Sequence, residues 1–275
     1  VILPAQTGPA ISKVLHDSRV KNLSFTGSTF VGKILLKEAA DQVIRCSMEL
    51  GGNAPFVVLD DANIEEAVKG LMMAKMRNGG AACTAANRIY VARSIGDKFI
   101  AEFSKAMAAL KMGVGREAGT QLGASVSMKE RNKIAELVDA SKARGAKVHL
   151  GGATPDGAGA FYPATVLEVK KDDAILAEEV FGPVAPVVLF DTDEEALKLA
   201  NDTEYGLISY VYSEDLKRAI RFAEGLEAGM VGINRGLLSD PAAPFGGVKQ
   251  SGLGREGGFD GVHEFLQTKY IGVEI

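Results

Sequence analysis

Pro55-Phe56-Val57-Val58-Leu59, the segment from Asp61 to Met72, and Arg88-Ile89-Tyr90-Val91-Ala92 decide the fold. The first is a short apolar run with β-branched residues, the mark of a buried strand. The second spaces Glu65, Val68, Leu71 and Met72 for a helix, with Asp61 as its predicted N-cap. The third reads as another strand. Outward from this core the alternation continues. Phe30, Val31, Ile34, Leu35 and Ala39 predict a helix over 29–43. Phe99, Phe103, Met107 and Leu110 predict one over 97–110, stopping near Gly113. Ser127 with Glu130, and Thr192 with Glu195, form capping boxes that open helices over 127–143 and 193–201. Strands are expected at 147–150, 165–169, 184–190 and 208–212, with a helix over 215–226. The alternation predicts an α/β fold with a largely parallel sheet. Residues 151–159 read as a surface loop. A second glycine-rich stretch spans 244–258. The apolar, β-prone tail at 265–275 would be an exposed edge strand and is expected to pair with another subunit.

Composition narrows the function. The chain has 275 residues, 47% hydrophobic and 24% charged, so a sizeable core is available. Its formal net charge of −4 gives no basis for binding nucleic acid or an anionic membrane surface. No apolar run approaches the roughly 20 residues of a membrane helix. The two cysteines, Cys46 and Cys83, are far apart, which excludes a disulfide scaffold and fits a reducing, cytoplasmic compartment. His16, His149 and His263 lack metal-ligand spacing, so no metal site is expected. The serine-hydrolase pattern GxSxG is missing. The chain opens Val1-Ile2-Leu3-Pro4 without an initiator Met and is expected to be a piece of something longer.

Two residues stand out as candidates for chemistry. Cys83 follows Asn78-Gly79-Gly80-Ala81-Ala82, small residues that leave room for a substrate and free backbone N–H groups near the thiol. A buried cysteine acting as a small hydrophobe accounts for it as well. Glu49 stands between Met48 and Leu50, before Gly51-Gly52; apolar surroundings raise a carboxyl pKa and suit it to general-base work. A surface glutamate at an element end is the plainer alternative. Phe25-Thr26-Gly27-Ser28-Thr29-Phe30-Val31-Gly32 reads as strand end, turn and helix start, where N–H groups could face a phosphate or simply be capped.

The order of five motifs carries more than any one of them. Phe25-Thr26-Gly27-Ser28, Met48-Glu49-Leu50-Gly51-Gly52-Asn53, Asn78-Gly79-Gly80 before Cys83, Glu179-Val180-Phe181-Gly182-Pro183, and Pro244-Phe245-Gly246-Gly247-Val248-Lys249-Gln250-Ser251-Gly252 together resemble the aldehyde dehydrogenase superfamily. The resemblance covers essentially the whole chain and corresponds to the C-terminal half or more of such an enzyme. It implies a Rossmann-like cofactor domain ending in residues 1–48, a catalytic domain over 49–244, and a C-terminal segment, 245–275, ending in an oligomerisation strand. It implies Cys83 as the nucleophile toward an aldehyde and Glu49 as the base that activates water against the resulting thioester. NAD or NADP would be the cofactor. Glu179 would hold the nicotinamide ribose with Phe181 beside it, and Gly27, Ser28 and Gly32 would lie along the pyrophosphate. A homo-oligomer, dimer or tetramer, is implied as well.

Arg77 and Ser239 match positions that succinate-semialdehyde dehydrogenases use to grip the distal carboxylate. A guanidinium suits that task; an ion pair at a helix end and a loop hydroxyl are the plainer alternatives. Ala81-Ala82 departs from the family pattern before the cysteine. Ala85 stands where some members carry a second cysteine, so no redox switch is expected. The family's first cofactor strands and an oxyanion-hole asparagine lie upstream of Val1, so this stretch alone is expected to turn over no aldehyde. The alternatives are another aldehyde as substrate, or a non-catalytic structural module.

Overall fold

The computed structural model describes residues 7–275; Val1-Ile2-Leu3-Pro4 and the start of the predicted cofactor segment lie outside the described residues. In chain order the elements are α1 (Thr7–Leu15), β1 (Asn22–Thr26), α2 (Thr29–Ala40), β2 (Arg45–Glu49), β3 (Ala54–Val58), α3 (Ile64–Met76), β4 (Ala86–Ala92) and α4 (Arg93–Ala108). There follow α5 (Met128–Ala143), β5 (Lys147–Leu150), β6 (Thr165–Glu168), β7 (Val184–Phe190), α6 (Asp193–Asn201), β8 (Tyr205–Gly206), β9 (Ile208–Tyr212) and α7 (Leu216–Gly225). The last are β10 (Met230–Ile233), β11 (Val248–Lys249), β12 (Gly252–Leu253) and α8 (Asp260–His263). Two compact units result. One holds the described residues up to Gly51 together with Ser239–Ile275, the other Gly52–Leu238.

The larger unit carries a seven-stranded sheet in the order β10-β9-β3-β4-β7-β6-β5. All its pairings are parallel except β5 with β6. Every residue of β3, β4 and β9 is buried, as a parallel sheet covered on both faces requires. Alternation sorts the side chains. Phe56 of β3 stacks on Tyr212 with ring centroids 4.9 Å apart. The opposite face, with Val57, Tyr90, Val188 and Val211, joins Ile134 and Val138 of α5, Ala196 of α6 and Phe222 of α7 in one core cluster. In the smaller unit β2 pairs in parallel with β1 and antiparallel with β12. No helix among the described residues is long and apolar enough to cross a membrane.

Capping explains which predicted ends hold. Ser127 and Thr192 cap α5 and α6 as expected, accepting from the amides of Glu130 and Glu195. Asp61 does not cap α3. Its carboxylate takes the Ser213 hydroxyl and the Asp215 amide, and Asn63 is the cap instead. The helix predicted over 29–43 ends at Ala40, since Val43 adopts φ 53. α4 begins four residues earlier than predicted, at Arg93, with no side-chain cap for its spacing to announce. The apolar tail forms no strand within this chain, and Tyr270, Ile271 and Val273 are exposed. Strands β2 and β10 escape a reading by pattern. Arg45-Cys46-Ser47-Met48-Glu49 has no β-branched run, and its place is set by its two partners.

Candidate active site

In the larger unit, three neighbouring parallel strands bring distant motifs together. Gly52 precedes β3, Cys83 precedes β4 and Glu179–Gly182 precede β7, and these strands lie side by side in the sheet. The motifs therefore gather at the strands' N-terminal edge, the reverse of the usual crevice outside the carboxyl ends of an open α/β sheet. Gly52 joins them. Its N–H donates to Glu179 Oε1 at 2.9 Å. A Cβ on Gly52 would stand 2.2 Å from the Cys83 carbonyl oxygen, so no larger residue fits between these loops.

Cys83 is half-buried in a turn between the short helix Arg77–Gly80 and β4. Asn78 and Gly79 take left-handed conformations, and the Asn78 side-chain amide donates to the Ala81 carbonyl at 2.8 Å. Tyr210 O–H donates to the Thr84 carbonyl at 2.9 Å, tying the turn to β9. Arg77 is exposed, and its guanidinium donates to Thr84 Oγ1 at 3.4 Å, one residue past the thiol. The structure thus brings Arg77, Cys83 and Glu179 into one neighbourhood. Phe181 is 41% exposed, an open ring two residues from a half-buried carboxylate. Burial raises the Glu179 carboxyl, while the Gly52 amide and the charges of Lys133 and Lys75 oppose the rise.

Glu49 ends β2 in the smaller unit and is 4% exposed. Its Oε2 has no hydrogen-bond partner among the described residues. Burial pushes its carboxyl up to about 7; Glu256 adds to the rise and Arg255 opposes it. The glycine-rich motif lies against it, since a Cβ on Gly246 would stand 2.8 Å from Glu49 Oε1. Ser251 fixes the end of β2, accepting the Leu50 amide on its carbonyl at 2.9 Å and donating its hydroxyl to the Gly51 carbonyl at 2.7 Å. The sequence motifs assign no role to Glu256 or Arg255. The signal for them is a charged pair set just after a run of glycines.

The raised carboxyl has a consequence for stability. The folded state keeps a proton that the unfolded state releases above its ordinary value near 4.5. The contribution is full below that value and is lost as pH rises through about 7. Glu49→Gln stays neutral and is expected to lose less melting temperature than the parent between about pH 5 and pH 8. Equal losses in thermal scans of the two proteins would contradict this.

Gly27 and Ser28 lie at the entry to α2. Ser28 Oγ accepts the Val31 amide at 3.3 Å, while the amides of Thr29 and Phe30 have no acceptor among the described residues. The space beside Gly27 is filled by the Phe25 ring and that beside Gly32 by Leu50, so packing alone accounts for both glycines. Ser239 falls in the smaller unit, at its return from Leu238. Cys46 is half-buried, its thiol raised by burial and donating to the Ile44 carbonyl at 3.3 Å. No group of three or more His, Cys, Asp or Glu is placed to hold a metal ion among the described residues. Within the larger unit, the half-buried Glu179 carboxylate and the open Phe181 ring offer an acceptor for ribose hydroxyls and an apolar plate, which fit that end of a dinucleotide.

Comparison with known proteins points the same way. The profile of the aldehyde dehydrogenase family matches residues 2–271. The chain is 54% identical, over 94% of its length, to the succinate-semialdehyde dehydrogenase of Paenarthrobacter nicotinovorans, of which it covers 58%. It is 43% identical to the glutarate-semialdehyde dehydrogenase of Pseudomonas putida, over 100% of this chain and 57% of that protein. Among solved structures it resembles betaine aldehyde dehydrogenase of Staphylococcus aureus in complex with NAD+. The TM-score is 0.89 and the identity 40%, over 94% of this chain and 52% of that one. The chain thus spans little more than half the length of these relatives.

Proposed function

This chain belongs to the aldehyde dehydrogenase family, and from that premise we propose that it serves the NAD(P)+-dependent oxidation of succinate semialdehyde to succinate. The observation that carries the reading is the meeting at Gly52. One residue's N–H holds the Glu179 carboxylate while its α-carbon lies against the Cys83 carbonyl, with the Arg77 guanidinium reaching Thr84. A nucleophile, a carboxylate for ribose hydroxyls and a cation for the substrate's acid are what this oxidation needs of a protein.

In this reading Cys83 Sγ attacks the aldehyde carbon, forming the C–S bond of a thiohemiacetal. Glu179 and Phe181, with Gly27, Ser28 and Gly32, would hold the dinucleotide, which when bound supplies the hydride acceptor. Glu49 then takes a proton from a water molecule that attacks the thioester carbon. The C–S bond breaks, the acid leaves, and the thiolate returns. A carboxyl held near 7 suits that base, since about half of it is ionised at neutral pH and the ionised form is basic enough to accept the proton. A cytoplasmic homo-oligomer, dimer or tetramer, belongs to the same reading.

Arg77 and Ser239 are assigned to the distal carboxylate of the substrate. An uncompensated charge is costly to bring out of water, and a guanidinium offers a carboxylate two parallel hydrogen bonds. In a full-length protein carrying this chain, Arg77→Ala is expected to lower kcat/KM for succinate semialdehyde by roughly 10²-fold. Activity on butanal, which has no acid to hold, should change far less. An equal fall for both aldehydes would make Arg77 a support of the Cys83 turn and remove the case for a carboxylated substrate.

A further inference from the structure

Lys75 is a charged side chain where the helical pattern calls for an apolar one. It follows Leu71 by four residues on the buried stripe of α3 and is 0% exposed. A buried ammonium is costly unless it is hydrogen-bonded and faces an opposite charge. Its Nζ donates to Asn87 Oδ1, at the start of β4, at 2.7 Å, and to the Val180 carbonyl at 3.4 Å. Val180 is the neighbour of Glu179, whose negative charge acts on Lys75 without a contact ion pair. A second contact presses the same turn onto the end of α3. Gly80, at φ +80, leaves room for the Gly182 carbonyl, which would lie 2.1 Å from any Cβ there. Burial lowers Lys75 to about 7 and raises Glu179, so each group's ionised form depends on the other's field.

We infer that Lys75 is a positioning residue for the cofactor: its buried amine tethers the Glu179-Val180-Phe181-Gly182 turn through the Val180 carbonyl and so places Glu179 to accept ribose hydroxyls. This rests on the reading of Glu179 given above. Lys133, on α5, favours ionised Glu179 more than Lys75 does, but from an exposed position beside Glu178 at 3.5 Å, so what Lys75 alone supplies is the tether. Lys75 touches neither substrate nor dinucleotide in this account; it acts through the turn.

The test is a coupling measurement on the full-length protein, reading the Kd of NADH by fluorescence titration in Lys75→Met, Glu179→Gln and the double variant. Lys75→Met removes the charge and keeps the volume. Its Kd is expected to rise roughly tenfold, the size of one charge-assisted hydrogen bond. The KM for aldehyde should stay within about twofold, since substrate contacts are untouched. The double variant should bind no more weakly than Glu179→Gln alone, because both changes remove one function. Where Lys75→Met does not fold, Asn87→Leu takes its place in the cycle, with the same coupling expected. Additive losses, or an unchanged Kd in Lys75→Met, would overturn the inference and leave Glu179 in its role. An unchanged Kd in Glu179→Gln would overturn the role of Glu179 and the inference together.

Discussion

Replacing Cys83 by serine is expected to lower aldehyde oxidation by the full-length protein on the order of 10⁴-fold or more, with dinucleotide binding retained. The change is nearly isosteric, so the turn between Arg77 and β4 should keep its shape. What is lost is chemical. A thiol ionises within a few pH units of neutrality and leaves readily from a thioester, whereas a hydroxyl needs a base held beside it. The larger unit's histidine, His149, is not that base, being hydrogen-bonded to Glu168 at 3.0 Å where the edge strand β5 pairs with β6. A serine at position 83 would therefore remain neutral. Steady-state NAD(P)H production by the two proteins checks the loss. Activity within tenfold of the parent would remove Cys83 from the chemistry.

Glu49→Gln is expected to separate the two halves of the reaction. Attack by Cys83 and hydride transfer do not require Glu49 in this account, so a first equivalent of NAD(P)H should still form. Hydrolysis requires a base, and steady turnover should then fall by roughly 10²–10⁴-fold, the usual worth of general-base catalysis. Rapid mixing would show a burst followed by a nearly flat line. The parent's pH profile should report the same group. A base must be ionised to act, and this carboxyl is pushed up to about 7 by burial. Hydrolysis-limited turnover should therefore rise with pH through about 7 and then level off. Glu256, whose negative charge helps raise the Glu49 carboxyl, offers a control. Glu256→Gln should move that rise to lower pH. Loss of the burst along with turnover in Glu49→Gln would assign Glu49 to the fold or to the thiol instead.

The parts of this structure that were legible in the sequence are those written in local contacts. Ser127 and Thr192 announce α5 and α6 because a capping side chain and its amide stand three residues apart. The runs at β3 and β7 announce themselves because strands buried on both faces are apolar throughout. Asp61 misled because its carboxylate is spent on Ser213 and Asp215, some 150 residues away in sequence. The same distinction governs the site. Cys83, Glu49 and Glu179 could be named from motifs, but their neighbours could not. The approach of Gly52 to both Cys83 and Glu179 depends on β3, β4 and β7 being adjacent, which no spacing in the chain records. Lys75 was legible in principle, as a cation on an apolar helical stripe. Its partners Asn87 and Val180 were not, since a strand order decides them.

The central claim is that a thioester forms on Cys83 and that Glu49 is needed to release it. Mass spectrometry of the Glu49→Gln protein tests it most directly, on a sample mixed with NAD(P)+ and succinate semialdehyde and quenched in acid during the burst. A succinyl group is expected on the peptide carrying Cys83, absent when Cys83 is serine. A succinyl group on the peptide carrying Cys46, or none on any peptide while NAD(P)H is formed, would contradict it.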